Sequence, residues 1–207
     1  MGKKNEIVAI LDRSGSMRDL TGETISGFNG YISEQRDLDP KTKLTLVLFN
    51  HLYDLAYSRK KLSEVESLDR TVYVAEGTTA LLDAIGRTIT DLKPESAKKS
   101  KGKTIVLIIT DGQENASKDY KRGDIKELVT KCQEKYGWKF LFLGAGIDSF
   151  AEAESIGIPQ IHSADYVASG PGIANAYASA LLATSNIMDD KDINLSDLLD
   201  EVSNKKS

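Results

Sequence analysis

The 207-residue chain has one cysteine, two histidines and no apolar run long enough to cross a bilayer. A lone Cys132 cannot form an internal disulfide, and nothing points to an oxidising compartment. It falls on the apolar side of a helical pattern, where a thiol is expected to serve as a small core side chain. The apolar run nearest the N-terminus, residues 7–11, is too short for the core of a signal peptide and far too short for a membrane span. A myristoylation signal is missing too, because Glu6 stands where Ser or Thr is required. These absences predict a cytoplasmic protein with no membrane association. There is also no excess of positive charge. A formal net charge of −4 works against nucleic-acid binding, which is carried by Lys and Arg. The local basic runs, Arg59-Lys60-Lys61 and Lys98-Lys99-Ser100-Lys101, are predicted to be solvated loops.

What is present is an ordinary globular composition, 40% apolar and 28% charged, in a chain long enough to bury a sizeable core. Apolar runs of strand length alternate with segments of helical period. Residues 6–11, 44–49, 104–109 and 138–143 read as strands, the first continuously apolar as a strand covered on both faces should be. Asn50-His51 looks like the turn of a hairpin into residues 53–57, a short antiparallel edge. Helical spacing links Ile25, Phe28, Tyr31 and Ile32, and then Leu81, Leu82, Ile85, Ile89 and Leu92, with Pro94 and a lysine-rich loop after it. Ile125, Leu128, Val129, Cys132 and Tyr136 give a third helix. A short helix is expected over 150–156, a weak strand near Tyr166-Val167, and a long helix over 173–188. Repeated β-α units predict a doubly wound, Rossmann-like α/β fold. Its sheet should be mainly parallel with one antiparallel edge strand and helices on both faces. No repeat or linker divides the chain. Residues 1–190 read as one domain, and 191–207 as its short C-terminal helix or tail.

In such a sheet, ligands bind beyond the carboxyl ends of the strands. Three segments stand at strand or helix ends there: Asp12-Arg13-Ser14-Gly15-Ser16-Met17, Gly77-Thr78-Thr79-Ala80-Leu81 and Thr110-Asp111-Gly112-Gln113-Glu114-Asn115. They offer carboxylates and hydroxyls but no thiol or imidazole, a donor set suited to Mg²⁺, Mn²⁺ or Ca²⁺ and poorly suited to zinc or copper. Alternate side chains of a curled loop point the same way, so Asp12, Ser14 and Ser16 can converge, with Gly15 permitting the turn. Each segment alone would equally serve as a helix cap or a turn.

Together the three motifs resemble the metal-ion-dependent adhesion site of von Willebrand factor A domains, in the right order and on the right elements, over roughly residues 5 to 190. Stand-alone bacterial or phage A domains, including those of tellurite resistance and other stress systems, are similar in layout. The resemblance implies Asp12, Ser14, Ser16, Thr79 and Asp111 as metal residues. Thr79 rather than Thr78 is implied because the family's threonine immediately precedes the residues that open the helix. It further implies Mg²⁺, with Mn²⁺ or Ca²⁺ as alternatives, and a protein partner whose acidic residue completes the coordination. The oligomeric state is left open.

Other signals are weaker. The glycine-containing run from Gly144 to Ser149 reads as a tight turn rather than a nicotinamide site. Gly102-Lys103-Thr104 precedes a strand, unlike a phosphate loop, and Ala97 stands where that loop's first glycine belongs. Asp190, Asp192, Asn194 and Glu201 fit an EF-hand loop only in part, since Leu195 occupies the required glycine position. A short amphipathic helix through Leu198, Leu199 and Val202 fits better. A metal-assisted hydrolase or phosphotransferase would need a positioned base. His51 and His162 are both expected at the surface or an interface, and neither follows a motif that would position it. A further alternative is a structural module whose metal only staples the fold.

Overall fold

The structure, a computed structural model, describes residues 5–92 and 102–205. β1 (Glu6–Asp12) is buried along its whole length, which accounts for its unbroken apolar run. A 3-10 turn (Gly15–Leu20) leads straight into α1 (Thr21–Leu38). β2 (Lys43–Phe49) and β3 (Tyr53–Lys61) form the expected hairpin, followed by α2 (Leu81–Leu92) and β4 (Thr104–Thr110). α3 (Arg122–Tyr136), β5 (Lys139–Gly144), α4 (Ser149–Ser155), β6 (Ser163–Asp165), α5 (Gly170–Met188) and α6 (Leu195–Asn204) complete the order.

The strands form one sheet in the order β3-β2-β1-β4-β5-β6. Every neighbouring pair is parallel except β2 and β3, so the sheet is mainly parallel with one antiparallel edge. Side-chain alternation divides the core into two layers. Ile7, Ala9 and Leu11 of β1 join Leu44, Leu46 and Leu48 of β2 against α1, α5 and α6. Val8 and Ile10 join Val47, Phe49, Val106 and Ile108 against α2, α3 and α4. Cys132 is buried in this second layer, as expected.

Local chemistry sets the helix ends. The Asp148 carboxylate accepts the Ala151 N–H at the start of α4, and Ser169 accepts the Gly172 N–H at the start of α5. Asn194 accepts the Ser196 N–H to open α6, whose Leu195 is fully buried, so the acidic stretch after Met188 is a turn that leads into a helix, with Leu195 where a calcium loop needs glycine. Gly146 turns the chain after β5 at φ 66°.

Three expectations need correction. β3 runs four residues past Tyr57, so Arg59-Lys60-Lys61 lies in a strand rather than a loop. Arg59 sits at φ 50° beside a register shift in the β2–β3 ladder, and its guanidinium turns inward. There Nε donates to the buried Glu6 carboxylate at 2.9 Å, and Nη2 to the Leu92 carbonyl at 2.9 Å. β6 lies just before Tyr166 rather than at Tyr166-Val167, because Tyr166 turns into the core and donates its hydroxyl to the Thr110 carbonyl. His162 is buried, not at the surface, at the amino-terminal end of β6. Pro94, Ala97 and the Lys98–Lys101 run lie outside the described residues.

Candidate functional site

From β1 the chain runs outward to β2 and β3, then returns to β4 and runs outward the other way to β6. The strand order therefore reverses between β1 and β4, and their carboxyl ends open a crevice there. Asp12 ends β1 and is 1% exposed. One carboxylate oxygen accepts the Ser14 N–H at 2.6 Å, and the other accepts the Thr110 hydroxyl from β4 at 2.5 Å. The Ser14 and Ser16 hydroxyls lie 3.1 Å apart, and Ser16 donates to Asp111 at 2.6 Å.

Thr79 closes the group from the third side. A Cβ added to Gly112 would lie 2.8 Å from Thr79 Oγ1 and 3.6 Å from both Asp12 Oδ2 and Ser14 Oγ. Three oxygens from two segments thus face one small volume beside the third segment, which only a residue without a side chain at Gly112 leaves open. Ser16 and Asp111 continue the ring, so all five residues singled out in the sequence are brought together. Thr78, by contrast, is exposed.

The loops are held by main-chain bonds. Gly15 N–H donates to the Gly77 carbonyl at 2.9 Å, and Glu76 N–H to the Arg13 carbonyl at 2.9 Å. Gly77 itself has φ 75°, and the ring of exposed His51 fills the space where its Cβ would stand. The Thr79 N–H donates to the Asn115 side chain at 3.0 Å, while its carbonyl accepts the Asn115 N–H at 3.0 Å. Glu114 accepts from the N–H groups of Leu82, Ala116 and Ser117, tying the loop after β4 to the start of α2. Beneath the site, Tyr73 donates its hydroxyl to the Asp12 carbonyl at 2.5 Å.

Burial pushes the Asp12 carboxyl up to about 6, against the opposing hydrogen bonds from Thr110 and Ser14. Burial also raises Asp111, again opposed by a hydrogen bond, from Ser16. Among the described residues neither carboxylate is paired with Lys or Arg. A buried carboxylate without a cationic partner is electrostatically unsatisfied, and a bound cation would relieve it. The donors are two carboxylates and three hydroxyls, all hard oxygens. Among the described residues no group of three or more His, Cys, Asp or Glu side chains is placed to hold a metal, so any cation here relies on the hydroxyls.

The sequence reading missed Thr110, Tyr73, Glu114 and Asn115 as supports. Strand alternation offered a signal for Thr110, which shares the face of Val106 and Ile108. Tyr73 gave none, since it lies in a loop far along the chain from Asp12.

The model of the von Willebrand factor type A domain matches residues 6–178. The chain belongs to this family. No curated protein sequence matches it significantly. In fold, the A domain is similar to the PilB minor pilin from Streptococcus sanguinis, at 12% identity and a TM-score of 0.64, covering 91% of this chain and 63% of that one. It is also similar to the pilus adhesin SpaC from Lactobacillus rhamnosus GG, at 13% identity and a TM-score of 0.70, covering 90% of this chain and 31% of that one. The von Willebrand factor type A protein from Catenulispora acidiphila gives 15% identity and a TM-score of 0.57, over 87% of this chain and 42% of that one. The A domain thus spans less than two thirds of each of these structures. No described helix is long and apolar enough to cross a membrane.

Proposed function

We propose that this A domain is a protein-binding module that works through a divalent cation, Mg²⁺ first, with Mn²⁺ or Ca²⁺ as alternatives. Asp12, Ser14, Ser16, Thr79 and Asp111 hold the ion, and an acidic residue of a protein partner completes its coordination. The observation that carries this reading is the convergence of Thr79, Asp12 and Ser14 oxygens on the space above Gly112. When bound, the cation supplies a Lewis-acidic position for the partner's carboxylate. Two protein carboxylates nearly neutralise a divalent ion, and the three hydroxyls add no charge, so the site stays receptive to an incoming anion.

The chain's own residues do the positioning. Thr110 and the Ser14 N–H fix the Asp12 carboxylate from both sides. Ser16 holds Asp111. The pairing of Thr79 with Asn115 fixes that threonine's backbone, which leaves only its side chain free to turn. Fold likeness to a pilus adhesin supports binding rather than catalysis. Of the two histidines, His162 lies at the amino-terminal end of β6, away from the crevice, and His51, whose ring packs over Gly77, makes no hydrogen bond to any of the five residues among those described.

The test is capture of partners by the immobilised protein in Mg²⁺ and in EDTA, alongside the Asp111→Ala and Asp12→Ala variants. A genuine partner should be retained in Mg²⁺, released by EDTA, and lost on either variant. Retention in EDTA or by Asp111→Ala would leave the cation, at most, a staple of the fold.

A further inference from the structure

A cleft of about 630 Å³ adjoins the site on the α2 side. Its floor runs from Ala80, just before α2, to Arg87, and its walls are the hairpin turn at His51 and Leu52 and the segment at Asp119 and Tyr120. Ala80 directly follows Thr79, so the cleft begins about 3.8 Å along the chain from a residue assigned above to the cation.

Most polar groups in the cleft already have partners. Asp83 accepts the N–H groups of Lys118, Asp119 and Tyr120 at 2.8, 2.9 and 2.9 Å. The Arg87 guanidinium lies 4.5 Å from the centre of the Tyr53 ring, and its Nε stands 3.9 Å from Asp91. The Tyr120 hydroxyl lies 3.2 Å from that of Thr90. The Asp119 carboxylate has neither an ion pair nor a side-chain hydrogen bond among the described residues. Beside these groups the cleft offers the face of Tyr120 and the side chain of Leu52, which is 57% exposed. Two carboxylates, Asp83 and Asp119, stand against one guanidinium, so the cleft carries an unmatched negative charge.

We propose that this cleft receives a Lys or Arg side chain of the same partner, two to four residues from the acid that reaches the cation. The inference rests on the metal-dependent reading above. The aliphatic stem would lie on Leu52 and Tyr120, and the charged head would pair with Asp119. Asp119 is anchored to Asp83 in the first turn of α2, four residues after Thr79 and so roughly 5–9 Å from it. An extended segment advances about 3.3 Å per residue, which sets the separation. The partner is thus a segment of mixed charge, recognised at two points.

The probe is a displayed library of random twelve-residue peptides, selected in Mg²⁺ on the wild-type protein and on Asp119→Lys. Asp119 is exposed, so the variant should fold, and its backbone bond to Asp83 survives the change. Wild-type binders should share an acid and a basic residue at fixed spacing, and should be released by EDTA. On Asp119→Lys the acid should persist and the basic preference vanish. Replacing the basic residue of a selected peptide by norleucine should weaken binding to wild type about two- to fivefold, and leave binding to Asp119→Lys unchanged or stronger. An acid enriched without a basic companion, or a basic preference indifferent to Asp119→Lys, overturns the cleft while sparing the metal site. If no Mg²⁺-dependent acidic binder emerges, both readings fall together.

Discussion

A methyl group at Gly112 probes the oxygen centre directly. In Gly112→Ala the new Cβ would stand 2.8 Å from Thr79 Oγ1, closer than such atoms can approach. The Thr79 backbone cannot retreat, because its N–H and carbonyl are both bonded to Asn115. Relief must come from rotating the threonine side chain or from shifting the loop after β4, which Glu114 ties to the start of α2. A side chain forced off its rotamer costs about 0.5–1.5 kcal/mol, and the rotation swings the hydroxyl away from the shared volume. Gly112 does not occupy the left-handed region, so alanine adds no backbone strain and the effect is steric. The variant should lose about 1 kcal/mol of stability and bind Mg²⁺ or Mn²⁺ at least about tenfold more weakly, equivalent to 1.4 kcal/mol. Urea unfolding in EDTA reads the first quantity, and calorimetric titration with Mn²⁺ the second. A variant with wild-type stability and wild-type Mn²⁺ affinity would refute the convergence of these oxygens on one ligand.

Three further outcomes follow from the same geometry. The folded state holds the Asp12 carboxyl at about 6 against an ordinary 3.8, so it binds the proton more tightly than the unfolded chain does. Metal-free stability should therefore fall as pH rises from about 4 to 6, by up to about 3 kcal/mol, and level off above. Mg²⁺ affinity should move the opposite way and weaken below pH 6. Asp12→Asn should flatten the stability slope in urea titrations, and an unchanged slope would assign it to other groups. Thr110→Val keeps the shape of the core but removes the donor to Asp12, and should cost about 1–3 kcal/mol at pH 7 in urea unfolding. Wild-type stability would mean the bond contributes nothing. Thr79→Ala should abolish Mg²⁺-induced stabilisation in thermal melts while Thr78→Ala, at an exposed position, retains it. Equal losses would show that the loop register is misassigned.

The parallel sheet was legible because its strands are buried on both faces, which leaves long apolar runs such as Ile7 to Leu11 and Thr104 to Ile109. The five residues that converge beyond β1 and β4 could be picked out because each lies in a short motif at an element's end. Errors arose where a distant contact overrode local character. Arg59-Lys60-Lys61 reads as a solvated run, yet Arg59 is drawn inward by Glu6, 53 residues earlier. Tyr166 has strong strand propensity, but it leaves the sheet to reach the Thr110 carbonyl. The neighbours that orient the site, Tyr73 beneath Asp12 and Asn115 beside Thr79, form no local pattern because their partners lie 61 and 36 residues away.

The bond from Thr110 to Asp12 joins residues 98 apart, and that from Ser16 to Asp111 joins residues 95 apart. Closing a loop of that size costs roughly 4 kcal/mol of chain entropy, recovered only once β1 and β4 lie side by side. The crevice therefore comes into being late, after the two central strands have met. Contacts formed after the folding barrier alter the rate of escape from the native state rather than the rate of reaching it. If the crevice closes only after that barrier, whatever occupies these strand ends should act as a brake, slowing unfolding and leaving the folding rate unchanged.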